Sequence, residues 1–185
     1  DPVRPDASRA VADLAALGVD VRIVTGDNAF TASHVAASIG IPRGREMTGA
    51  EIEELPDADL LAAAGACRVF SGVTPAQKER IVRCLSAAGH TVGFVGDGVN
   101  DAAALHGADV GISVTGAVDI ARQTADLVIV EKDLMVIAEG IRRGRQVFAN
   151  TLKYVYVTTS ANFGNMVSLA VATAFLPYLP LLPLQ

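Results

Sequence analysis

Apolar residues along this chain follow two rhythms, and the change between them divides it. Val11, Leu14 and Leu17 recur at helical spacing, so they line one face of a helix. Asp6 or Ser8 can cap that helix, and Gly18 ends it. Val21 to Val24 is a short buried strand, and a small-residue helix over Ala29 to Ile39 closes at Gly40 and Pro42. The stretch from Glu51 to Asp57 is acidic and reads as a solvated helix face and turn rather than a metal site. Val69 and Phe70 mark another strand. Pro75 to about Ala88 forms the next helix, with Thr74 as N-cap and Pro75 in the first turn. Strands near Thr91–Val95, Asp109–Ser113 and Leu127–Val130 follow. Repeated strand–helix units predict an α/β fold built on a parallel, doubly wound sheet.

After residue 133 the rhythm changes. Residues 134–150 contain no proline, and from Tyr154 to Gln185 no side chain is charged. Arg142, Arg143, Arg145 and Lys153 stand just before that stretch. A helix of about 20 apolar residues crosses a hydrocarbon core, and a basic flank marks the cytoplasmic side. The expected organisation is an α/β body over 1–133, a cytoplasmic helix over 134–153 and a transmembrane helix over 154–176. A loop and the start of another membrane segment, rich in proline, occupy 177–185. A buried core hairpin is the alternative for the tail. Thr158, Thr159, Ser160, Asn162, Asn165 and Ser168 lie inside the expected span. Polar groups there face a bundle interior or an ion path, or fasten helices together.

Composition agrees with a chain that is partly membrane-borne. Its 185 residues are 51% hydrophobic, with mean hydropathy +0.39. A net charge of −5 argues against a basic surface for nucleic acid. Cys67 and Cys84 lack metal-ligand spacing and imply no disulfide framework; His34, His90 and His106 are scattered and read as surface or packing residues. No secretory signal opens the sequence.

Candidate chemistry concentrates where the run Thr91-Val92-Gly93-Phe94-Val95 stops at Gly96-Asp97-Gly98-Val99-Asn100-Asp101. Asp97 emerges just past a strand, where open α/β sheets place their ligands. The glycines permit a tight turn and close approach to an anion. Asp97 and Asp101 supply hard oxygens suited to Mg²⁺. An ordinary Gly/Asn/Asp turn is the competing reading, and the extension into Ala102-Ala103-Ala104-Leu105 weighs against it.

GDGVND resembles the hinge motif of P-type ATPases, within the haloacid dehalogenase-like superfamily. Three further segments match in family order: Asp1-Pro2-Val3-Arg4 resembles DPPR, Thr25-Gly26-Asp27-Asn28 resembles the TGD motif, and Thr74-Pro75-Ala76-Gln77-Lys78 resembles the segment carrying the phosphate-site lysine. Val3 in place of the second proline of DPPR, and Ala103 in place of a proline after GDGxNDA, are mild departures. Because the chain starts inside a family motif, it reads as a fragment. The resemblance covers nearly the whole chain and makes the long helix a stalk continuing into the fifth transmembrane helix. Asn165 stands where calcium pumps carry an ion-binding Glu. Together with Phe175-Leu176-Pro177-Tyr178-Leu179-Pro180, that departure resembles the magnesium-importing pumps of bacteria.

The resemblance implies roles as well as a fold. An aspartate of a DKTGT motif attacks ATP in such pumps, and these 185 residues contain no DKTGT. The nucleophile strand belongs between the strand ending at Thr25 and the one ending at Gly96, so the sheet is expected to be incomplete there. Asp97 would ligate the catalytic Mg²⁺, and Asp101 would support metal and phosphate geometry. Lys78 would neutralise phosphoryl oxygens, Thr25 and Gly26 would donate to them, Asp27 would lie beside the nucleotide, and Asn100 would hold the hinge loop. Asn162 and Asn165 would help form the site of the transported ion. ATP and Mg²⁺ are the implied cofactors. The implied partners are a transported divalent cation, the lipid bilayer and the remainder of the pump chain. The implied setting is the inner membrane, multi-pass, with residues 1–153 cytoplasmic. A calcium or monovalent cation pump, a soluble haloacid dehalogenase-like phosphatase and a non-catalytic anchored domain remain alternatives.

Overall fold

The structure is a computed structural model that describes residues 6–130 and 133–175. Residues up to Ala138 form one compact unit, and those from Glu139 onward form another.

Within the first unit, α1 (Ala7–Ala16) leads into the two-residue strand β1 (Ile23–Val24) and then α2 (Ala29–Ser38). Next come β2 (Arg45–Thr48), α3 (Gly49–Glu54), α4 (Asp57–Ala64) and β3 (Cys67–Ser71). Helix α5 (Pro75–Ala87) crosses to β4 (Gly93–Val95), a 3-10 turn (Val99–Asp101) and α6 (Ala102–Gly107). Strand β5 (Val110–Val114), α7 (Asp119–Thr124) and β6 (Leu127–Ile129) complete it. All strand pairs are parallel. They make two three-stranded sheets, ordered β1-β3-β2 and β4-β5-β6.

Both faces of the first sheet are covered, as the alternation of β3 requires. Val69 packs with Ala32, Ala36 and Ile41 beside α2. Its neighbour Phe70 packs with Met47, Ile52, Leu60 and Ile81, on the side of α3, α4 and α5. The second sheet buries Phe94 against Val82, Leu105 and Ala121. The expected doubly wound α/β architecture is therefore present, in two sheets that share no strand pairing among the described residues.

Strand β2 has no counterpart in the sequence reading. Only Met47 of Arg45-Glu46-Met47-Thr48 is buried, so an edge strand with a single core residue leaves no periodic signal. At the start of the unit, Asp6 precedes α1 without capping it. Its carboxylate instead accepts the Leu134 amide at 3.2 Å.

The second unit is carried by α8 (Met135–Phe175), one unbroken helix of 41 residues, as the absence of proline predicts. Asp133 starts it by accepting the Met135 amide at 2.8 Å. Residues 154–175 of the expected transmembrane helix lie on it. Among the described residues, no helix is long and apolar enough to cross a membrane. Length is sufficient; apolarity falls short because Thr158, Thr159, Ser160, Asn162, Asn165 and Ser168 replace hydrocarbon. The DPVR match and the proline-rich loop over 177–185 lie outside the described residues.

The open edges of the two sheets have a measurable consequence. Strands β1 and β4 each pair on one side only, and unpaired strand edges recruit other chains. Residues 1–133 expressed alone will associate with rising concentration in sedimentation experiments and melt without a sharp transition. A soluble monomer with a cooperative transition would contradict this.

Candidate functional site

Three loops at the carboxyl ends of parallel strands build the site. After β1, the Thr25 amide donates to the Phe70 carbonyl at 2.9 Å, which carries the β1–β3 ladder one step beyond the strand. Thr25 and Asp27 then close on each other. The Thr25 hydroxyl donates to Asp27 Oδ2 at 3.0 Å, and the Asp27 amide donates to Thr25 Oγ1 at 3.1 Å. The Thr25 and Asp27 carbonyls accept the Val73 and Gly72 amides at 3.1 and 2.6 Å. The loop after β1 is thereby fastened to the loop after β3.

That second loop starts α5. Thr74 caps the helix, its side chain and that of Gln77 each accepting the other's backbone amide. Such a reciprocal box satisfies two donors that the helix leaves unpaired. With Pro75 at the first turn, the register of α5 is set, and Lys78 falls on the face toward the third loop.

The third loop follows β4. The Gly96 amide donates to the Ile112 carbonyl at 3.0 Å. A Cβ on Gly96 would lie 2.6 Å from the Asp101 Cβ, so glycine is required by close approach. Asp101 uses both carboxylate oxygens: Oδ1 accepts Lys78 Nζ at 2.7 Å, and Oδ2 accepts the Gly98 amide at 3.2 Å. Both side chains of this ion pair are only 13% exposed, so water screens it less than a surface pair. The Asp97 carbonyl accepts the Val118 amide at 3.0 Å. Its carboxylate is exposed, with no hydrogen-bond partner among the described residues.

The structure thus brings together Lys78, Asp101 and the Gly96–Asp101 loop directly, and Thr25, Gly26 and Asp27 through the shared β3 loop. Asn100 is exposed on the 3-10 turn. Among the described residues no group of three His, Cys, Asp or Glu side chains could hold a metal ion. The donor set still suits a partly protein-bound Mg²⁺, which typically takes one or two carboxylates and completes its shell with phosphate and water. Asp97 offers an uncommitted carboxylate for this; Asp101 is committed to Lys78 and Gly98. Asn162 and Asn165 are exposed on α8, three residues apart.

Sequence reasoning passed over Gln77 and Val118. The Thr74-x-x-Gln77 spacing signals the cap, but nothing local foretells that Val118 meets the Asp97 carbonyl.

A family model for haloacid dehalogenase-like hydrolases matches residues 1–109, and the chain belongs to that family. It is 50% identical over 185 residues to magnesium-transporting ATPase, P-type 1, of Escherichia coli strain K12, covering all of this chain and 21% of that protein. It is 37% identical over 192 residues to probable cation-transporting ATPase F of Mycobacterium bovis, again covering all of this chain and 21% of that protein. A crystal structure of a zinc-transporting PIB-type ATPase in the E2.Pi state superposes with TM-score 0.75 at 26% identity, over 93% of this chain and 24% of that one. The chain therefore spans about a fifth of the length of the curated relatives it matches.

The two cysteines stay outside this chemistry. Cys67 and Cys84 are buried, and burial pushes both thiols above their ordinary pKa. Since the thiolate is the reactive form, neither will be alkylated by iodoacetamide in the native protein at mildly alkaline pH, and both will react after unfolding. Rapid labelling of either in the folded state would show that the α4–α5 core opens readily.

Proposed function

We propose that this chain is the carboxyl-terminal part of the phosphorylation domain, with the stalk and fifth membrane helix, of a P-type pump that imports Mg²⁺. The observation that carries the reading is the partly buried Lys78–Asp101 pair, formed by the same Gly96–Asp101 loop that carries Asp97, in a chain half identical to magnesium-transporting ATPases. A soluble phosphatase of the same family would share Thr25, Lys78 and Asp97, but leaves the uncharged stretch from Tyr154 unexplained.

The residues divide the work of phosphoryl transfer, which rests on positioning and charge stabilisation. Lys78 presents a compact cation to phosphoryl oxygens, and Asp101 holds that cation in place. The Thr25 hydroxyl, now donating to Asp27, turns to a phosphoryl oxygen, and the Gly26 amide donates to another. Asp27 faces the ATP side, and Asn100 steadies the hinge loop. Asp97 would hold the catalytic Mg²⁺, and Asp101, committed to Lys78 and the Gly98 amide, would support it through the loop. When bound, the ion neutralises charge developing on the transferred group. The nucleophilic aspartate is supplied by the remainder of the pump chain.

On this reading α8 carries the transported ion's path through the inner membrane, with residues 1–153 on the cytoplasmic side. Asn162 and Asn165 offer neutral amide oxygens to a partly hydrated Mg²⁺, which sheds water reluctantly. Carboxylates from other membrane helices complete the charge.

In the complete pump, Asp97→Asn will abolish acid-stable phosphoenzyme without lowering expression; wild-type levels would refute the metal assignment. Lys78→Ala will lower turnover by about 10²-fold, the scale of losing one preorganised charge stabiliser. Near-normal turnover would leave Lys78 a structural cation.

Asn162→Leu or Asn165→Leu will weaken Mg²⁺ activation of ATPase and abolish Mg²⁺-dependent growth rescue while the protein still inserts. If both variants transport normally, the amides only fasten helices.

A further inference from the structure

Gln77 does more than cap α5. Its side chain is buried, 7% exposed, and a buried amide is costly unless its hydrogen bonds are made. Here both ends are used. Oε1 accepts the Thr74 amide at 3.0 Å, while Nε2 donates to the Gly49 carbonyl at 2.9 Å and to Glu53 Oε2 at 2.8 Å. Gly49 is the first residue of α3, and a Cβ there would lie 2.2 Å from the Gly72 carbonyl oxygen and 2.9 Å from Gln77 Oε1. The start of α3 is thus pressed onto the loop after β3, whose Gly72 amide donates to the Asp27 carbonyl. The next residue after Gln77 is Lys78, held by Asp101 on its far side.

A capping box needs only the acceptor oxygen, and glutamate would serve as well or better at a helix N-terminus. The NH₂ group of Gln77 is surplus to capping; its work is to fix α5 against α3. We infer that Gln77, seated on Gly49 and Glu53, is a positioning residue that sets the reach of Lys78 relative to the Thr25–Asp27 loop. This rests on the proposed role of Lys78 at the phosphoryl group.

The complete pump tests it through Gln77→Glu, which keeps the cap, removes both donors and faces Glu53 with a second carboxylate. Turnover relative to wild type will fall about 10-fold or more at about pH 8, the scale expected when a reacting group is misplaced, with KM for ATP unchanged. Two facing carboxylates raise each other's pKa. The deficit will therefore shrink as pH falls toward about 6, where a shared proton restores one donor. Glu53→Gln added to Gln77→Glu restores a donor between the two side chains and will recover turnover at the higher pH. Wild-type turnover of Gln77→Glu at every pH, alongside an impaired Lys78→Ala, would overturn the inference and leave the Lys78 reading intact. A fully active Lys78→Ala would overturn both. Should Gln77→Glu fail to accumulate, Glu53→Ala leaves the cap untouched and removes one of the amide's acceptors. Its turnover will fall at unchanged KM, and unchanged turnover would overturn the inference.

Discussion

Helix α5 is the constraint on which the α/β unit depends. Among the described residues no strand pairing joins the sheet β1-β3-β2 to the sheet β4-β5-β6, so side chains must hold them. Successive residues of α5 serve the two cores: Ile81 and Leu85 pack with Met47 and Phe70, while Val82 packs with Phe94 and Leu105. Each such side chain contributes about 1.5–3 kcal/mol by burial. Val24 reaches both clusters as well, from the end of β1. The same helix carries Lys78 at its amino end, so the fit that unites the sheets also fixes the cation between their loops. Structure and site share one element, and a change in the tilt of α5 moves both.

That double use explains which parts were legible in the sequence. Thr74 and Pro75 announce the start of α5 by local chemistry, and the structure shows the cap where they place it. Gly96-Asp97-Gly98 is legible for a similar reason: a strand that stops at small residues and a carboxylate leaves few alternatives. The Lys78–Asp101 pair joins residues 23 apart in sequence; nothing local specifies it, and only family resemblance placed the two at one site. Strand β2 escaped because pairing with β3, rather than its own pattern, makes it a strand. The Gln77 amide was equally hidden, since its partners Gly49 and Glu53 come from a different strand–helix unit.

Helix α8 presents the opposite case, where local pattern and environment disagree. Phe148, Tyr154, Tyr156, Phe163, Met166 and Phe175 are exposed on it, more apolar surface than an aqueous helix sustains without a partner. Yet amides and hydroxyls interrupt the same stretch, and the helix falls short of the apolarity that crossing a membrane alone demands. Both features are reconciled if its neighbours are lipid on one side and polar helices on another. In the proposed pump, the residues that spoil the hydropathy are those that face the bundle. Thr173 shows the inexpensive alternative, donating to the Leu169 carbonyl of its own helix at 2.8 Å. Amides such as Asn162 and Asn165 are too polar to be left against hydrocarbon, and on this reading they turn toward the bundle.

The first turn of α8 belongs to the α/β unit rather than to the remainder of the helix. Its opening amides need acceptors from outside the helix. Asp133 supplies one for Met135, and Asp6 supplies one for Leu134 just ahead of it. Asp6 leaves α1 without a side-chain cap in doing so, a loss of roughly 1 kcal/mol for a typical cap. Ala138 is buried, while nearly every described residue beyond it is exposed. A carboxylate withdrawn from its own helix to serve a residue 128 positions away ties the two ends of the α/β unit where α8 begins.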